Sequence, residues 1–424
     1  MFSRIFQRRL FSLKRSLIKL FIILAGFLLL GHDAAAQKFE FTGKRKRETL
    51  SFKMIKNLMI IPLSINGKGP FNFVLDTGVG LMLISDPKLI DSVSIKNLRS
   101  INIVGFGEGE AMSAFVTPSI EVRLGSTVAK NLSAAILKKD MFELSNYVGM
   151  PIHGLIGYEF FSSFIVRINF VVNTLTIYRH ETAYIPRKGI RIPLSIEDRK
   201  PYVVADIVLN SGEKIAAKFI IDTGAGHPVS LETNGGVPFE LPDVNIEGNL
   251  GIGLTGPISG YIGRISSLKL GKYTLNNVIA AFPNYEDVAS KVFSVSRNGN
   301  MGIAVLKRFN VVFDYGRTSI YIKPATLLKE PFEHDMSGME LISAGDKFNR
   351  LIVTRVEPAS AAEESGIQKE DEILAINFKP VSDMSITEID NLFRSKNDRS
   401  FILDVIPRGS KDKERVILTL RRRI

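Results

Sequence analysis

The sequence predicts a mainly β protein made of two duplicated lobes, with a smaller module after them. Three observations predict it. Short runs rich in Val, Ile, Leu and Phe alternate with Gly-, Asn- and Asp-containing turns across residues 50–325. Features in the first half of that stretch recur in the second at a nearly constant offset. After 325–337 ("PATLLKEPFEHDM") the patterning changes, and strands become interleaved with two helical segments.

The chain opens with Arg4, Arg8, Arg9, Lys14, Arg15 and Lys19, then the apolar run Leu20 to Leu30, then Ala34-Ala35-Ala36. This is the order of a secretory signal peptide over residues 1–36, with Gln37 as the new N-terminus. The run is too short for a comfortable membrane span, and no later stretch is longer and as apolar. The expectation is an exported protein, periplasmic or secreted, with no stable membrane span after cleavage. The chain has no cysteine, which excludes disulfides and a lipid-accepting cysteine. Of the formal charge of +12, a net +5 lies in the first 36 residues. The rest is scattered, and Lys44-Arg45-Lys46-Arg47 lacks interleaved aromatics, so nucleic acid is not an expected partner.

Asp76-Thr77-Gly78 and Asp222-Thr223-Gly224 lie 146 residues apart, each after an apolar strand-like run. At the same offset Leu124-Gly125 meets Leu270-Gly271, and Gly154-Leu155-Ile156-Gly157 meets Gly299-Asn300-Met301-Gly302 at 145. The strand-turn-strand patterns at 164–178 and 309–322 follow. The leading segments Ile60–Ile65 and Ile192–Ile196 also resemble each other. The lobes are expected at 37–183 and 184–328, with hairpin turns at 65–69, 123–127 and 209–213. A linker follows at 329–337 and the third module at 338–424. Its expected strands are 350–356, 371–377, 401–406 and 415–420, and its helices 360–364 and 386–393.

Two carboxylates delivered on facing turns would sit close enough to share one proton. No two histidines stand at zinc-ligand spacing and there is no G-x-S-x-G elbow, so neither a metal hydrolase nor a serine hydrolase is supported. No metal or cofactor is expected. His227 reads first as a surface-turn histidine, and only second as a group near the carboxylate pair.

Residues 50–325 resemble the retropepsin-like and pepsin-like aspartic proteases, in a two-lobed, exported bacterial form. The resemblance implies two acid-protease β-barrel lobes and a catalytic dyad of Asp76 and Asp222. It implies that Thr77 and Thr223 hydrogen-bond across the lobe interface, that Gly78 and Gly224 let backbone N–H groups approach the carboxylates, and that Gly157 and Gly302 brace the two turns. Asn300 departs from the apolar residue found before that glycine. The glycine-rich stretch 103–115 falls where the family carries its flap, with Phe106 as candidate tip, and 250–261 is its counterpart. The Ser or Thr that often follows Asp-Thr-Gly is Val79 in one lobe and Ala225 in the other. Both carboxylates should thus lack a donor, and activity should extend toward neutral pH. A non-catalytic peptide-binding scaffold of the same fold is the alternative. Residues 338–424 resemble a PDZ domain, a β-sandwich with two helices, chiefly through "VEPASAAEESGIQKEDEILAIN" (356–377). There Gly338-Met339-Glu340-Leu341 would be the loop that binds a peptide C-terminus. Protein or peptide substrates are the expected partners.

Overall fold

The computed structural model describes residues 38–103, 112–182, 189–253, 256–286 and 295–424. The segment 1–36 and the flap candidate Phe106 lie outside the described residues.

Both lobes are built from the same hairpin logic. In the first, strands Leu58–Ile65 and Lys68–Leu75 join through Asn66-Gly67, both at positive φ, a turn whose twist suits paired strands. The second of these strands ends directly before Asp76. Strand Gly154–Ile156 runs parallel to it, with Leu155 opposite Val74, and antiparallel to Met82–Ile84. The long hairpin of Met112–Leu124 and Thr127–Leu137 closes the sheet, with Ser64 paired to Arg123. The second lobe repeats this with Lys200–Val208 and Lys214–Asp222. There Gly299–Gly302 runs parallel to the strand that ends at Asp222, and Gly256–Leu270 pairs with Tyr273–Pro283. Pairing of Lys200–Val208 with Gly256–Leu270 closes that sheet. The result in each lobe is a barrel-like sheet.

The strand-turn-strand repeats meet in a sheet shared by the lobes. Ile165–Asn169 pairs with Phe309–Asp314, placing Val166 opposite Phe313. Thr174–Tyr178 and Ser319–Pro324 flank them, and Arg47–Ser51 and Ile190–Pro193 are the outer strands. A single apolar core runs through both lobes, and Phe161 of the first packs edge-on against Phe313 of the second at 5.1 Å. Full burial of such a ring contributes about 1.5–3 kcal/mol, so the lobes are held by a core and not by loop contacts alone.

One sequence expectation is corrected. Ile60–Ile65 and Ile192–Ile196 are not equivalent. The former is the first hairpin strand of its lobe, whose counterpart is Lys200–Val208. Ile192 belongs to an outer strand of the shared sheet. Their similarity reflects the composition that any buried strand needs.

The C-terminal module has its own core, with Phe393 and Phe401 in contact at 5.7 Å. Its sheet order is Met339–Ala344, Arg350–Val356, Glu372–Ile376, Ser400–Ile406, Glu414–Thr419. Helix Ala361–Glu364 starts at Ser360, whose hydroxyl accepts from Glu363 N. Helix Ile386–Phe393 starts at a reciprocal Ser385–Glu388 cap, and its buried residues Ile386, Ile389 and Phe393 recur at helical spacing.

Candidate active site

The two Asp-Thr-Gly turns meet between the lobes. The Thr77 hydroxyl donates to Ile221 O at 2.7 Å and accepts from Thr223 N at 3.0 Å. The Thr223 hydroxyl donates to Leu75 O at 2.9 Å and accepts from Thr77 N at 3.0 Å. Both threonines are 0% exposed. Four hydrogen bonds therefore cross a dry junction, where leaving any of these groups unpaired is costly.

Each turn is braced by the strand beside it. Asp76 N donates to Ile156 O, and Tyr158 N donates to Val79 O. An added Cβ at Gly157 would lie 2.0 Å from Asp76 O, so only glycine fits. In the second lobe Ile303 N donates to Ala225 O, and a Cβ at Gly302 would meet His227 O at 2.1 Å. Gly78 and Gly224 face the opposite lobe. A Cβ at Gly224 would lie 2.2 Å from Asp76 Oδ2, and one at Gly78 would lie 3.0 Å from Asp222 Oδ2. The missing side chains are what let the carboxylates approach.

The Asp76 and Asp222 carboxyls lie close enough to interact directly. Gly78 N donates to Asp76 Oδ1 at 2.7 Å, and Gly224 N donates to Asp222 Oδ1 at 2.8 Å. Asp76, 7% exposed, has its carboxyl pushed well above the usual range, first by burial and then by the neighbouring Asp222 charge. Two carboxyls so placed cannot both be charged at low cost.

Two residues outside the expected machinery join the site. The Asn300 amide donates to Asp222 Oδ2 at 2.6 Å. His227 also faces this point. It interacts with Asp222 and Asn300, and burial holds its imidazole below the usual range. The expectation that both carboxylates lack a side-chain donor is thus corrected at Asp222: neither Val79 nor Ala225 can serve, but Asn300 does. The surface-turn reading of His227 is corrected too. The signal was in the sequence, because a polar residue at an otherwise apolar, buried strand position needs a partner.

The flap position is occupied by strands Arg99–Ile103 and Met112–Leu124, paired from Arg99–Val116 to Ile103–Met112. In the second lobe Asn245–Gly253 pairs with Gly256–Leu270. Asn249 of that hairpin donates to Glu340 of the C-terminal module at 3.1 Å.

In the C-terminal module the loop 338–341 is internally engaged. The Asp335 carboxylate accepts from Ser337 N at 2.9 Å and Gly338 N at 2.8 Å, and Met339 N donates to Ser337 Oγ. An internal carboxylate thus holds the Gly338 N–H, which was expected to face a ligand. Strand Met339–Ala344 is a sheet edge, paired only with Arg350–Val356 among the described residues. Its free side meets the first lobe. Lys56 Nζ donates to Leu341 O at 3.0 Å, and Lys56 N approaches Thr387 Oγ1 at 3.4 Å. Lys56 therefore bridges the edge strand and helix Ile386–Phe393. The short helix Leu144–Val148 packs against the same strand, and a Cβ at Gly149 would lie 2.8 Å from Ser343 Oγ and 3.9 Å from Ile386.

Among the described residues no cluster of three or more His, Cys, Asp or Glu could hold a metal ion. No helix among them is long and apolar enough to cross a membrane. Residues 61–160 match the family model described as aspartyl protease, and residues 352–407 match that described as PDZ domain. The first match contains the Asp76 turn, and the structural repeat ties the second lobe to it. A comparison with curated proteins finds none that matches. The chain thus joins an aspartyl protease domain to a C-terminal PDZ domain.

Proposed function

We propose that the protein is an aspartic endopeptidase that hydrolyses peptide bonds with a water activated between Asp76 and Asp222. The observation that carries this reading is the pairing of the two carboxyls on turns locked by the four threonine bonds. One ionised carboxylate takes a proton from water as its oxygen attacks the scissile carbonyl carbon. The protonated partner gives its proton to the carbonyl oxygen. As the resulting diol collapses, one of its hydroxyl protons returns to that partner, and the first carboxyl gives the proton it took from water to the leaving nitrogen, leaving a carboxylic acid and an amine. The fixed turns supply orientation at no cost during the reaction.

Export through the segment 1–36 fits this reading, as does peptide capture by the PDZ domain. A peptide adding to the edge of Met339–Ala344 would have to displace Lys56 and the Leu144–Val148 helix. The test is cleavage of a denatured protein by the purified chain over roughly pH 3 to 8, against Asp222→Asn. Cleavage lost in the variant supports the reading. Cleavage retained, or none by the wild type, rejects it.

A further inference from the structure

The two halves of the dyad sit in unequal surroundings, although the sequence around them is duplicated. Asp222 accepts from two donors, Gly224 N on Oδ1 and the Asn300 amide on Oδ2. Asp76 accepts one, Gly78 N on Oδ1. The residue of the first lobe that corresponds to Asn300 is Leu155, which packs into apolar clusters and offers no donor. A donor aimed at a carboxylate favours its charged form, so the lobes bias the shared proton in one direction.

The geometry points to Asn300, oriented by His227, as the positioning residue that makes Asp222 the ionised base of the pair and Asp76 its protonated acid. This rests on the hydrolytic reading above for its meaning in catalysis, but the proton order itself does not. In the reaction Asp222 takes the water proton, and Asp76 gives its own to the carbonyl oxygen. When the diol collapses, the leaving nitrogen takes its proton from Asp222 and Asp76 is reprotonated from the diol hydroxyl.

His227 decides which end of the Asn300 amide faces the carboxylate. The ring interacts with Asn300. Asn300 Oδ1 and His227 Nε2 are both buried, and neither has a hydrogen-bond partner among the described residues, which leaves each open to the other. An imidazole N–H directed at Oδ1 leaves Nδ2 for Asp222, whereas a turned amide would set two oxygens against each other. Burial keeps the imidazole neutral, so it orients the amide without adding a charge. Of the other charged groups facing the pair, Arg297 supports this order and Lys200 opposes it. Arg297, in a bidentate pair with Glu232 at 2.8 and 3.0 Å, interacts with Asp222. On the Asp76 side Lys200 favours ionisation, as the smallest of its influences, while Tyr315 is buried and neutral. Burial and the Asp222 charge outweigh Lys200 there.

The test is a titration of the full chain labelled with carboxyl-13C aspartate, the two resonances being assigned by their loss in Asp76→Asn and Asp222→Asn. The wild type should show Asp222 losing its proton before Asp76, which stays protonated well above the ordinary carboxyl range. Asn300→Leu, which installs the residue of the other lobe, should narrow that separation and move the acid limb of kcat/KM up by roughly one to two pH units. His227→Leu should act in the same direction, and His227→Gln, which keeps a donor, should restore the wild-type profile. These two variants carry the test if Asn300→Leu does not fold. Asp76 ionising first, or a separation unchanged in all folded variants, overturns the proposal. An ordered titration in a chain that cleaves no peptide would support the proton order and reject the hydrolytic reading instead.

Discussion

Replacing Thr77 by valine keeps the shape of the side chain and removes its hydroxyl from the lobe junction. That hydroxyl serves two buried groups, Ile221 O and Thr223 N. Each would be left unpaired in a site where both threonines are 0% exposed. An unsatisfied buried group costs about 1–3 kcal/mol. The carbonyl keeps a second lone pair, which favours the lower end for it, so the expected loss is about 3 kcal/mol. Against a domain stability of about 5–15 kcal/mol this is a large fraction. The assay is equilibrium unfolding in urea at neutral pH, comparing Thr77→Val and Thr77→Ser with the wild type. Serine keeps both bonds and loses one methyl, for about 1 kcal/mol. Thr223→Val should match Thr77→Val, because it orphans Leu75 O and Thr77 N in the same way. A valine variant within about 0.5 kcal/mol of the wild type, or a serine variant as damaging as valine, would refute the reasoning.

Two buried groups should give stability opposite pH dependences. Glu159, 2% exposed and with neither carboxyl oxygen partnered among the described residues, is raised by burial from 4.5 to about 7. Its stabilising protonated form is fully present below pH 4.5 and lost as pH rises through about 7, at a cost of at most roughly 3 kcal/mol. Glu159→Gln should flatten that limb in a series of urea melts. His334, lowered by burial and then by Arg394, has fallen from 6.5 to about 3. Its neutral form stabilises the fold above pH 6.5, and this is lost as pH falls toward about 3, by at most roughly 5 kcal/mol. His334→Leu should therefore lessen acid sensitivity, as melting temperature against pH would record. Lys56→Met keeps the apolar stem and removes the amine from Leu341 O. Hydrogen exchange in strand Met339–Ala344 should then quicken, while exchange in Ser400–Ile406, deep in the same sheet, stays unchanged.

What the sequence made legible was mostly local. The turn at 65–69 and the helices at 360–364 and 386–393 follow from turn chemistry and periodicity over a few residues. The duplication was legible because Asp, Thr and Gly recur in register. The partner of Asn300 was not, because Asp222 lies 78 residues away and the contact exists only once two strands align in parallel, Ile220 beside Asn300. An asparagine that breaks an apolar pattern looks like a defect until its acceptor is in place. The loop at Gly338 shows the converse. Its glycine was legible, but the Asp335 carboxylate that fills the loop comes from the preceding linker. Docking of Lys56 between the edge strand and the last helix depends on two separately folded surfaces, and no local pattern encodes such a contact.

The most direct test of the central claim is kcat/KM for one peptide substrate, measured for Asp76→Asn, Asp222→Asn and the double variant. A shared dyad works as a unit. Each single substitution should then cost a factor on the order of a thousand or more, and the double variant should fall no further. Near-wild-type cleavage by either single variant, or a double variant whose loss is the product of the two, would contradict it.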